Sequence, residues 1–286
     1  MKNIVTVEWL KDNLDQPSIR IADCRFELGR PAAGKNAFTE GHIPGSVYFH
    51  LEKDLSGPVQ EHGGRHPLPN LNNFKDLLEK SGFGSEHTII AYDQGNGAFA
   101  ARFYWLLKYM GHKQIVVLNG GLQAWTDSGY SVTKDLHSHP RADFQINLNE
   151  DIIASTELVK SSADGKKTEA ILIDSREPKR YLGLEEPIDK KAGRIPGALN
   201  YPWNDALING KYKSAEEQLQ RFSGVPKELP VIVYCGSGVT AAPNFLALEA
   251  AGYKNIKLYI GSFSDWISYP ENPVEDGAVD DEKPFE

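Results

Sequence analysis

The sequence predicts an α/β protein built from two tandem units, each a mainly parallel sheet flanked by helices on both faces. The first observation is an internal repeat, in which short motifs of the first half recur in the same order in the second half. The second is that runs of β-branched residues alternate with helical patterns in both halves, which calls for right-handed crossovers between parallel strands. Since 286 residues suffice for two domains of ordinary size, the length agrees with this fold class.

Four pairs of motifs define the repeat, and they include Ile-Pro-Gly and a tryptophan at matching places in both halves. The matched segments are 21–25 with 173–176, 43–45 with 195–197, 111–118 with 252–259, and 120–125 with 261–266. Chance does not produce four matches in the same order. Each half is therefore expected to fold as a copy of the same unit.

Each unit is predicted to open with a helix and to continue with strands that alternate with helices. In the first unit the strands are predicted at 19–23, 88–92 and 115–118, and the helices at 6–14, 71–81 and 98–110. In the second unit the strands are predicted at 171–174, 231–234 and 256–259, and the helices at 155–161, 215–222 and 241–251.

The domain limits follow from a stretch that lacks a sustained period and carries turn-forming residues. We expect a first domain over 1–138, a linker over 139–151, a second domain over 152–277 and an acidic tail over 278–286.

Charge and composition exclude several classes of function. The formal net charge of −8, with no basic block, argues against a nucleic-acid partner. No run of about 18 apolar residues exists, and the amino-terminal residues lack the apolar core of a signal peptide, so we expect a cytoplasmic protein without a membrane partner. Histidines and cysteines show no metal-ligand spacing, and we expect neither a metal nor a cofactor.

A cysteine lies where a predicted strand becomes a loop that leads into a helix. Cys235 follows the strand 231–234, and Gly236 and Gly238 in the next residues permit backbone angles that turn successive N–H groups inward. Thr240 is expected to cap the following helix. A thiol in a bowl of N–H donors at a helix amino terminus is favoured as the thiolate, so Cys235 is predicted to be a nucleophile.

Two other interpretations of this loop were weighed. A cysteine that ends a core strand is often only a buried structural residue, but the spacing of the glycines makes that reading the weaker one. A phosphate-binding loop normally includes an arginine that clamps the phosphate, and neither Arg nor Lys occurs between Cys235 and Pro243. We therefore do not expect a phosphatase.

The first unit differs from the second in two informative ways. Asp93 stands at the place that corresponds to Cys235, so the first unit has lost any thiol chemistry. It also carries an extra polar loop over 56–69. An inactive copy with an additional loop is expected to contribute to a cleft shared with the active copy, because small-molecule sites often lie between domains.

The tandem units, the Ile-Pro-Gly turns and the segment Cys235-Gly-Ser-Gly-Val-Thr240 resemble the two-domain rhodanese family of sulfurtransferases. The resemblance covers nearly the whole chain, and within the family this loop is similar to that of members that use 3-mercaptopyruvate. It implies that Cys235 takes a sulfane sulfur as a persulfide while pyruvate leaves. Members that prefer thiosulfate usually carry Arg and Lys after the cysteine, and an uncharged loop suits a monoanionic α-keto acid better.

The resemblance also implies a set of site residues. Backbone N–H groups from Gly236 to Thr240, Gly238 and Val239 included, would stabilise the thiolate and the persulfide. A proton relay would join Ser237 to His66, with His62 and Arg65 as alternatives to His66, and Glu52 would take the place of the family's aspartate.

The substrate carboxylate would be bound by Arg180, which matches the first of two arginines that the family uses. The second has no match, since Asp189 stands at its place, and Lys191 or Arg194 is expected to supply the missing charge.

The implied partners are a small-molecule sulfur donor and an acceptor, which would be cyanide, a low-molecular-weight thiol or a thioredoxin-like protein. Two alternatives remain. One is transfer from thiosulfate to cyanide, and the other is a persulfide carrier or regulatory module that turns over no free small molecule. A carrier would need neither the carboxylate clamp nor the proton relay.

Overall fold

A computed structural model describes residues 3–163 and 170–277 of the chain. The first unit contains β1 (Ile4–Val5), α1 (Val7–Asn13), β2 (Ile19–Asp23), α2 (Ala33–Glu40), β3 (Ser46–Tyr48), α3 (Leu71–Lys80), β4 (Thr88–Tyr92), α4 (Ala98–Tyr109), β5 (Ile115–Leu118) and α5 (Gly121–Asp127). The second contains α6 (Thr156–Ala163), β6 (Ile171–Asp174), α7 (Pro178–Tyr181), β7 (Leu199–Asn200), β8 (Leu207–Ile208), β9 (Lys211–Tyr212), α8 (Ala215–Arg221), β10 (Val231–Tyr234), α9 (Ala242–Ala250), β11 (Ile256–Leu258) and α10 (Ser262–Trp266).

Each unit is organised around a parallel sheet. The order of strands is β1-β5-β4-β2-β3 in the first sheet and β11-β10-β6-β7 in the second, and every pairing in both sheets is parallel. A short antiparallel hairpin of β8 and β9 lies outside the sheets. The predicted fold class is confirmed. Strands β1, β3 and β7 were not predicted, because two or three residues are too few to show a period.

Alternation along the central strands explains how the layers pack. Ile89 and Ala91 of β4 face the core that the two units share, whereas Ile90 and Tyr92 face the outer layer of the first unit. In the second unit β10 alternates in the same way, with Val231 and Val233 in the shared core. Helices α4 and α9 pack against each other between the sheets. The two units therefore share one hydrophobic core.

The repeat extends to individual hydrogen bonds. Arg25 Nη2 donates to Asp23 Oδ2 at 2.7 Å and to the carbonyl of Gly41 at 2.8 Å. The corresponding bonds of the second unit, both 2.6 Å long, join Arg176 to Asp174 and to the carbonyl of Gly193. These buried pairs brace the loops that follow β2 and β6, since a buried charge is tolerated only when paired and hydrogen-bonded.

The segment between the units runs along the first unit. Phe144 is fully buried in the shared core, and its N–H donates to Glu79 Oε1 at 3.1 Å. Asn147 N–H donates to the carbonyl of Met110 at 3.0 Å. The acidic tail expected over 278–286 lies outside the described residues. Over 3–163 and 170–277, no helix is both long and apolar enough to cross a membrane.

Candidate active site

Cys235 lies at the carboxyl end of β10 and is 1% exposed. Its sulfur accepts a hydrogen bond from the N–H of Gly238, with a nitrogen to sulfur distance of 3.1 Å. Gly238 has a φ of +76°, and a side chain there would collide with the carbonyl oxygen of Ile260. Only glycine fits this position, and its backbone turns an N–H group toward the sulfur. Val239 beside it is buried in the shared core.

Two details of the predicted loop are wrong. Gly236 is absent from the left-handed region, so the inward turn depends on Gly238 alone. Thr240 does not cap the next helix, because Ala241 is the N-cap residue of α9 and has no side chain able to accept a hydrogen bond. Helix α10 holds the loop instead, since Phe263 N–H donates to the carbonyl of Cys235 at 2.9 Å and Ser264 N–H donates to that of Gly236 at 3.0 Å.

Ser262 supports the cysteine and was missed by the sequence analysis. Its Oγ accepts a hydrogen bond from Cys235 N–H at 3.1 Å and donates to the carbonyl of Tyr259 at 2.8 Å. Ser262 has a φ of +55°, where a non-glycine residue is strained. The repeat contains the signal, because Gly121, with a φ of +57°, stands at the corresponding place. A serine there keeps the left-handed turn and adds a hydroxyl next to the sulfur.

The extra loop of the first unit crosses onto the second unit. His66 Nδ1 lies 2.8 Å from Ser237 Oγ, and both side chains are buried. Gly63 N–H donates to Asp265 Oδ1 at 2.6 Å, and the His62 ring stacks on Tyr269 with a centroid distance of 4.1 Å. The structure therefore brings His66 to Ser237, whereas His62 lies against Tyr269.

The structure does not bring Glu52 to this relay. Glu52 is exposed, and its backbone N–H donates to His50 Nδ1 at 3.1 Å. Its carboxylate has no hydrogen bond to His66 within the described parts of the chain. The physical reason is local: Leu51 and Leu55 of this turn are fully buried and direct residue 52 toward solvent. The assignment of Glu52 as the acid of the relay is corrected.

Burial, together with the nearby charges of Arg102 and Arg65, lowers the pKa of His66 to about 4. The ring is therefore neutral at pH 7. A neutral imidazole beside the Ser237 hydroxyl can accept its proton or donate one to it, depending on the tautomer.

We expect a proton transfer through Ser237 and His66 to keep its rate as the pH falls through 6.5 and to lose it near pH 4. The reason is that a histidine with a lowered pKa takes up its proton only there. The free energy of unfolding should also fall between pH 6.5 and 4, because the unfolded chain binds this proton more tightly than the folded one. Rapid-quench assays across this range test the expectation, and an acid limb near pH 6.5 that His66→Gln removes would contradict it.

Arg102 is the second residue that the sequence analysis missed. It lies on α4 of the first unit, is fully buried, and has no carboxylate partner among the described residues. Its guanidinium donates to the carbonyls of Gly238, Leu55 and His66, each at 3.1 Å. Burial lowers the pKa of Arg102 to about 10, while the negative charge of Cys235 acts in the opposite direction. Arg102 thus ties the cysteine loop to the His66 loop and places a cation behind the sulfur.

Arg180 is engaged by carboxylates of its own unit. Its Nε donates to Glu186 Oε2 at 3.0 Å, and its Nη2 donates to Glu186 Oε1 at 2.7 Å and to Asp189 Oδ2 at 2.9 Å. Arg65 of the first unit pairs with the other oxygen of Asp189. Arg65 and Arg180 therefore share one carboxylate at the mouth of the cysteine loop.

Of the two other cations expected at the site, Arg194 is engaged by other groups. The Arg194 guanidinium stacks over the ring of Tyr181 at 4.5 Å and donates to the carbonyl of Gly277 at 2.9 Å, so its hydrogen bonds are used in holding the chain after α10. Lys191 is exposed and has no ion pair with a described residue. The assignment of Arg194 to the substrate carboxylate is corrected, and that of Lys191 stays a prediction. The guanidinium that lies beside Arg180 is that of Arg65, since both pair with Asp189.

The loop of the first unit that corresponds to the cysteine loop is filled by its own side chain. Asp93 is buried, and its carboxylate accepts hydrogen bonds of 2.9–3.2 Å from the backbone N–H groups of Gly95, Gly97, Phe99 and Ala100. Burial raises the pKa of Asp93, and these hydrogen bonds act against the rise. The Asp93 loop therefore presents four N–H groups to a carboxylate, and the cysteine loop presents that of Gly238 to a sulfur.

The second thiol of the chain, that of Cys24, lies at the end of β2. Cys24 is buried and unpaired, and burial raises the pKa of its thiol well above the usual value, with Asp23 adding to the rise. Such a thiol is a poor nucleophile. Within 3–163 and 170–277, no three His, Cys, Asp or Glu side chains are grouped so that they could hold a metal ion.

Fold and site together define a class of protein: two homologous parallel α/β units, of which one presents a cysteine to backbone N–H donors and the other has replaced it. The chain belongs to the rhodanese family, because the model of the rhodanese-like domain matches residues 6–128 and 155–269.

Several proteins of this family are similar to nearly the whole chain. A probable 3-mercaptopyruvate sulfurtransferase of Pseudomonas aeruginosa is 38% identical over 96% of this chain and 98% of its own length. A putative thiosulfate sulfurtransferase, SseB of Mycobacterium tuberculosis, is 34% identical over 91% of this chain and 92% of its own. The crystal structure of SseA from Escherichia coli, described as a 3-mercaptopyruvate sulfotransferase, is 31% identical and superposes with a TM-score of 0.82 over 92% of this chain and all of that one.

Proposed function

We propose that this protein is a sulfurtransferase that moves sulfane sulfur from 3-mercaptopyruvate, through a persulfide on Cys235, to a thiol or cyanide. The observation that carries the proposal is the Cys235 sulfur, held 3.1 Å from a loop N–H and next to a hydroxyl and imidazole pair that the two units build together. Relatives named for this donor at 38% and 31% identity support it.

In the first half-reaction, the Cys235 thiolate attacks the sulfur of 3-mercaptopyruvate, and the new S–S bond forms as the C–S bond breaks. The electron pair of the broken bond goes to the methylene carbon and gives the pyruvate enolate. The proton of the donor's thiol group, now on the persulfide, passes to that carbon through the Ser237 hydroxyl, while neutral His66 orients the hydroxyl. Pyruvate leaves, and a persulfide anion remains on Cys235.

In the second half-reaction, a thiolate or cyanide attacks the outer sulfur of the persulfide. The S–S bond breaks and the Cys235 thiolate is restored, so no oxidant or cofactor is consumed. The N–H of Gly238 is placed to stabilise the negative sulfur in both halves of the cycle. The acceptor is proposed to be a low-molecular-weight thiol or a thioredoxin-like protein, with cyanide as a substitute. The two unpaired thiols of this chain suit a reducing compartment such as the cytoplasm.

A second candidate function is transfer from thiosulfate to cyanide. The observation that favours it is the pair of guanidinium groups, from Arg65 and Arg180, close to Gly236. They offer a dianion the cationic surroundings that the loop residues themselves lack. Asp189 reduces this attraction, because it lies between the two arginines, and the monoanionic donor is therefore our first choice.

A comparison of donors tests the proposal. We expect kcat/KM for 3-mercaptopyruvate to exceed that for thiosulfate by about tenfold or more, since one unit of uncompensated charge near the sulfur is worth about 1–3 kcal/mol in a partly dry cleft. Pyruvate and thiocyanate are measured with cyanide as the common acceptor. A higher efficiency with thiosulfate would favour the second candidate. Failure to turn over either donor while Cys235 still accepts sulfur from a persulfide would indicate a carrier.

A further inference from the structure

Three charged groups lie next to Gly236, in the loop that holds Cys235. From the point that a β-carbon on Gly236 would occupy, Arg65 Nη2 lies 2.9 Å away, Arg180 Nη2 3.3 Å and Asp189 Oδ2 3.4 Å. The cysteine itself is 1% exposed. The three groups therefore lie beside the residue that directly follows the nucleophile.

Asp189 lies in the position of a bound carboxylate. One of its oxygens pairs with Arg65 and the other accepts from Arg180 at 2.9 Å, and its side chain is 3% exposed. A carboxylate held by two guanidinium groups beside the nucleophile is the arrangement that an α-keto acid donor requires. Here the chain itself provides that carboxylate.

The other partners of Arg65 and Arg180 decide what happens to each arginine when its ion pair with Asp189 opens. Arg180 has a second partner in Glu186, whose side chain is 4% exposed and which also pairs with Arg176. For Arg65 the one carboxylate partner among the described residues is Asp189. If Asp189 withdraws, Arg180 stays anchored and Arg65 becomes available to an incoming anion. The Arg65 side chain, at 30% exposure, is the one member of the group that solvent reaches readily.

We infer that Arg65 and Arg180 form the site that binds the donor's carboxylate, and that Asp189 is a resident counter-charge that the donor must displace and that limits the attraction of anions to Cys235. The nature of the donor rests on the proposed function, but the control of anion access does not. Charge balance gives the direction: Arg65 and Arg180 face two carboxylates, Asp189 and Glu186, so these four groups carry no net charge until Asp189 is removed.

The test compares two alkylating reagents that differ in charge. Iodoacetate and iodoacetamide both transfer a carbon to the thiolate and release iodide, but only iodoacetate carries a carboxylate. The measured quantity is the rate constant for iodoacetate divided by that for iodoacetamide, at Cys235 in a Cys24→Ser background. This ratio reports the affinity of the site for anions, whatever reaction the protein catalyses. Asp189→Asn keeps the shape and removes the charge, and we expect the ratio to rise about tenfold, the change that about 1.4 kcal/mol produces.

Glu185→Gln is the matched control. It removes one negative charge from the same loop, at a residue that is exposed and paired with Lys179, and should change the ratio by less than about twofold. Arg65→Gln should lower the ratio about tenfold, because one of the two cations is lost. A purely structural role for Asp189 would alter the rates of both reagents equally and leave their ratio unchanged.

An unchanged or lowered ratio in folded Asp189→Asn protein would overturn the inference. Should that variant not fold, Arg65→Gln decides, since a ratio equal to that of the parent would also overturn it. The proposed function is tested separately by the release of pyruvate from 3-mercaptopyruvate. A rise in the alkylation ratio without any pyruvate would reject the proposed function and leave the anion control standing.

Discussion

Replacing Cys235 with serine is expected to lower the rate of sulfur transfer by about a thousandfold or more. The hydroxyl of serine stays neutral at pH 7 and can neither attack a sulfur atom nor hold one as a persulfide. The Gly238 N–H that faces the sulfur would then face a neutral oxygen. Steady-state release of pyruvate measures the loss. Mass spectrometry of the parent protein after treatment with the donor should show one added sulfur on the peptide that contains Cys235, and the same peptide of Cys235→Ser should show none.

Cys24→Ser is the control for this experiment. Cys24 is fully buried at the end of β2, and burial keeps its thiol protonated, so its replacement should leave kcat within about twofold. Sulfur found on the peptide of Cys24, or turnover that survives in Cys235→Ser, would show that the nucleophile is a different residue.

Arg102→Met is expected to lower kcat/KM by about tenfold to a hundredfold, as the loss of charge-assisted hydrogen bonds worth about 1.5–3 kcal/mol would do. The substitution keeps a long side chain in the core but removes the donor that joins Gly238 to the backbone of His66. It also removes the cation behind the sulfur. Arg102→Lys separates these effects, because lysine keeps the charge and cannot reach three carbonyls with one planar group.

Arg221→Met is the control, at an arginine that is half-buried. Burial also lowers the pKa of Arg221 to about 10, and its guanidinium donates to the carbonyl of Pro202 at 2.7 Å, away from the cysteine loop. We expect this variant to lose stability and to keep its kcat/KM. If Arg102→Met and Arg221→Met lose activity equally, the role assigned to Arg102 is wrong and a general loss of stability explains both.

The position of the nucleophile was predictable because its signals are local. Residues 231–234 were predicted as a strand, and the strand is Val231–Tyr234 with Cys235 directly after it. Helices α3, α4, α8 and α9 begin and end within one residue of prediction. The apolar period of a strand, the apolar period of a helix and a glycine in a tight turn can each be recognised within a few residues. The internal repeat contains most of these signals twice.

The surroundings of the nucleophile were not predictable, because they come from distant parts of the chain. Arg102 lies 136 residues before Gly238, and Arg65 lies 124 residues before Asp189. The loop's own side chains are uncharged, but two guanidinium groups reach it from elsewhere, and only that of Arg180 was expected there. Glu52 and Arg194 were placed at the site by resemblance alone. Burial of Leu51 and Leu55 directs Glu52 toward solvent, and Arg194 is itself buried among other partners.

The carboxylate of Asp93 makes the first unit permanently self-liganded. Its loop receives an anion in every folded molecule, since the ligand is part of the polypeptide. The second unit has the same kind of loop, but the anion there is the sulfur of Cys235, which in the proposed cycle is first a thiolate and then a persulfide. The ligand of the first loop is therefore fixed, whereas that of the second gains and loses one sulfur atom with every turnover of the proposed cycle.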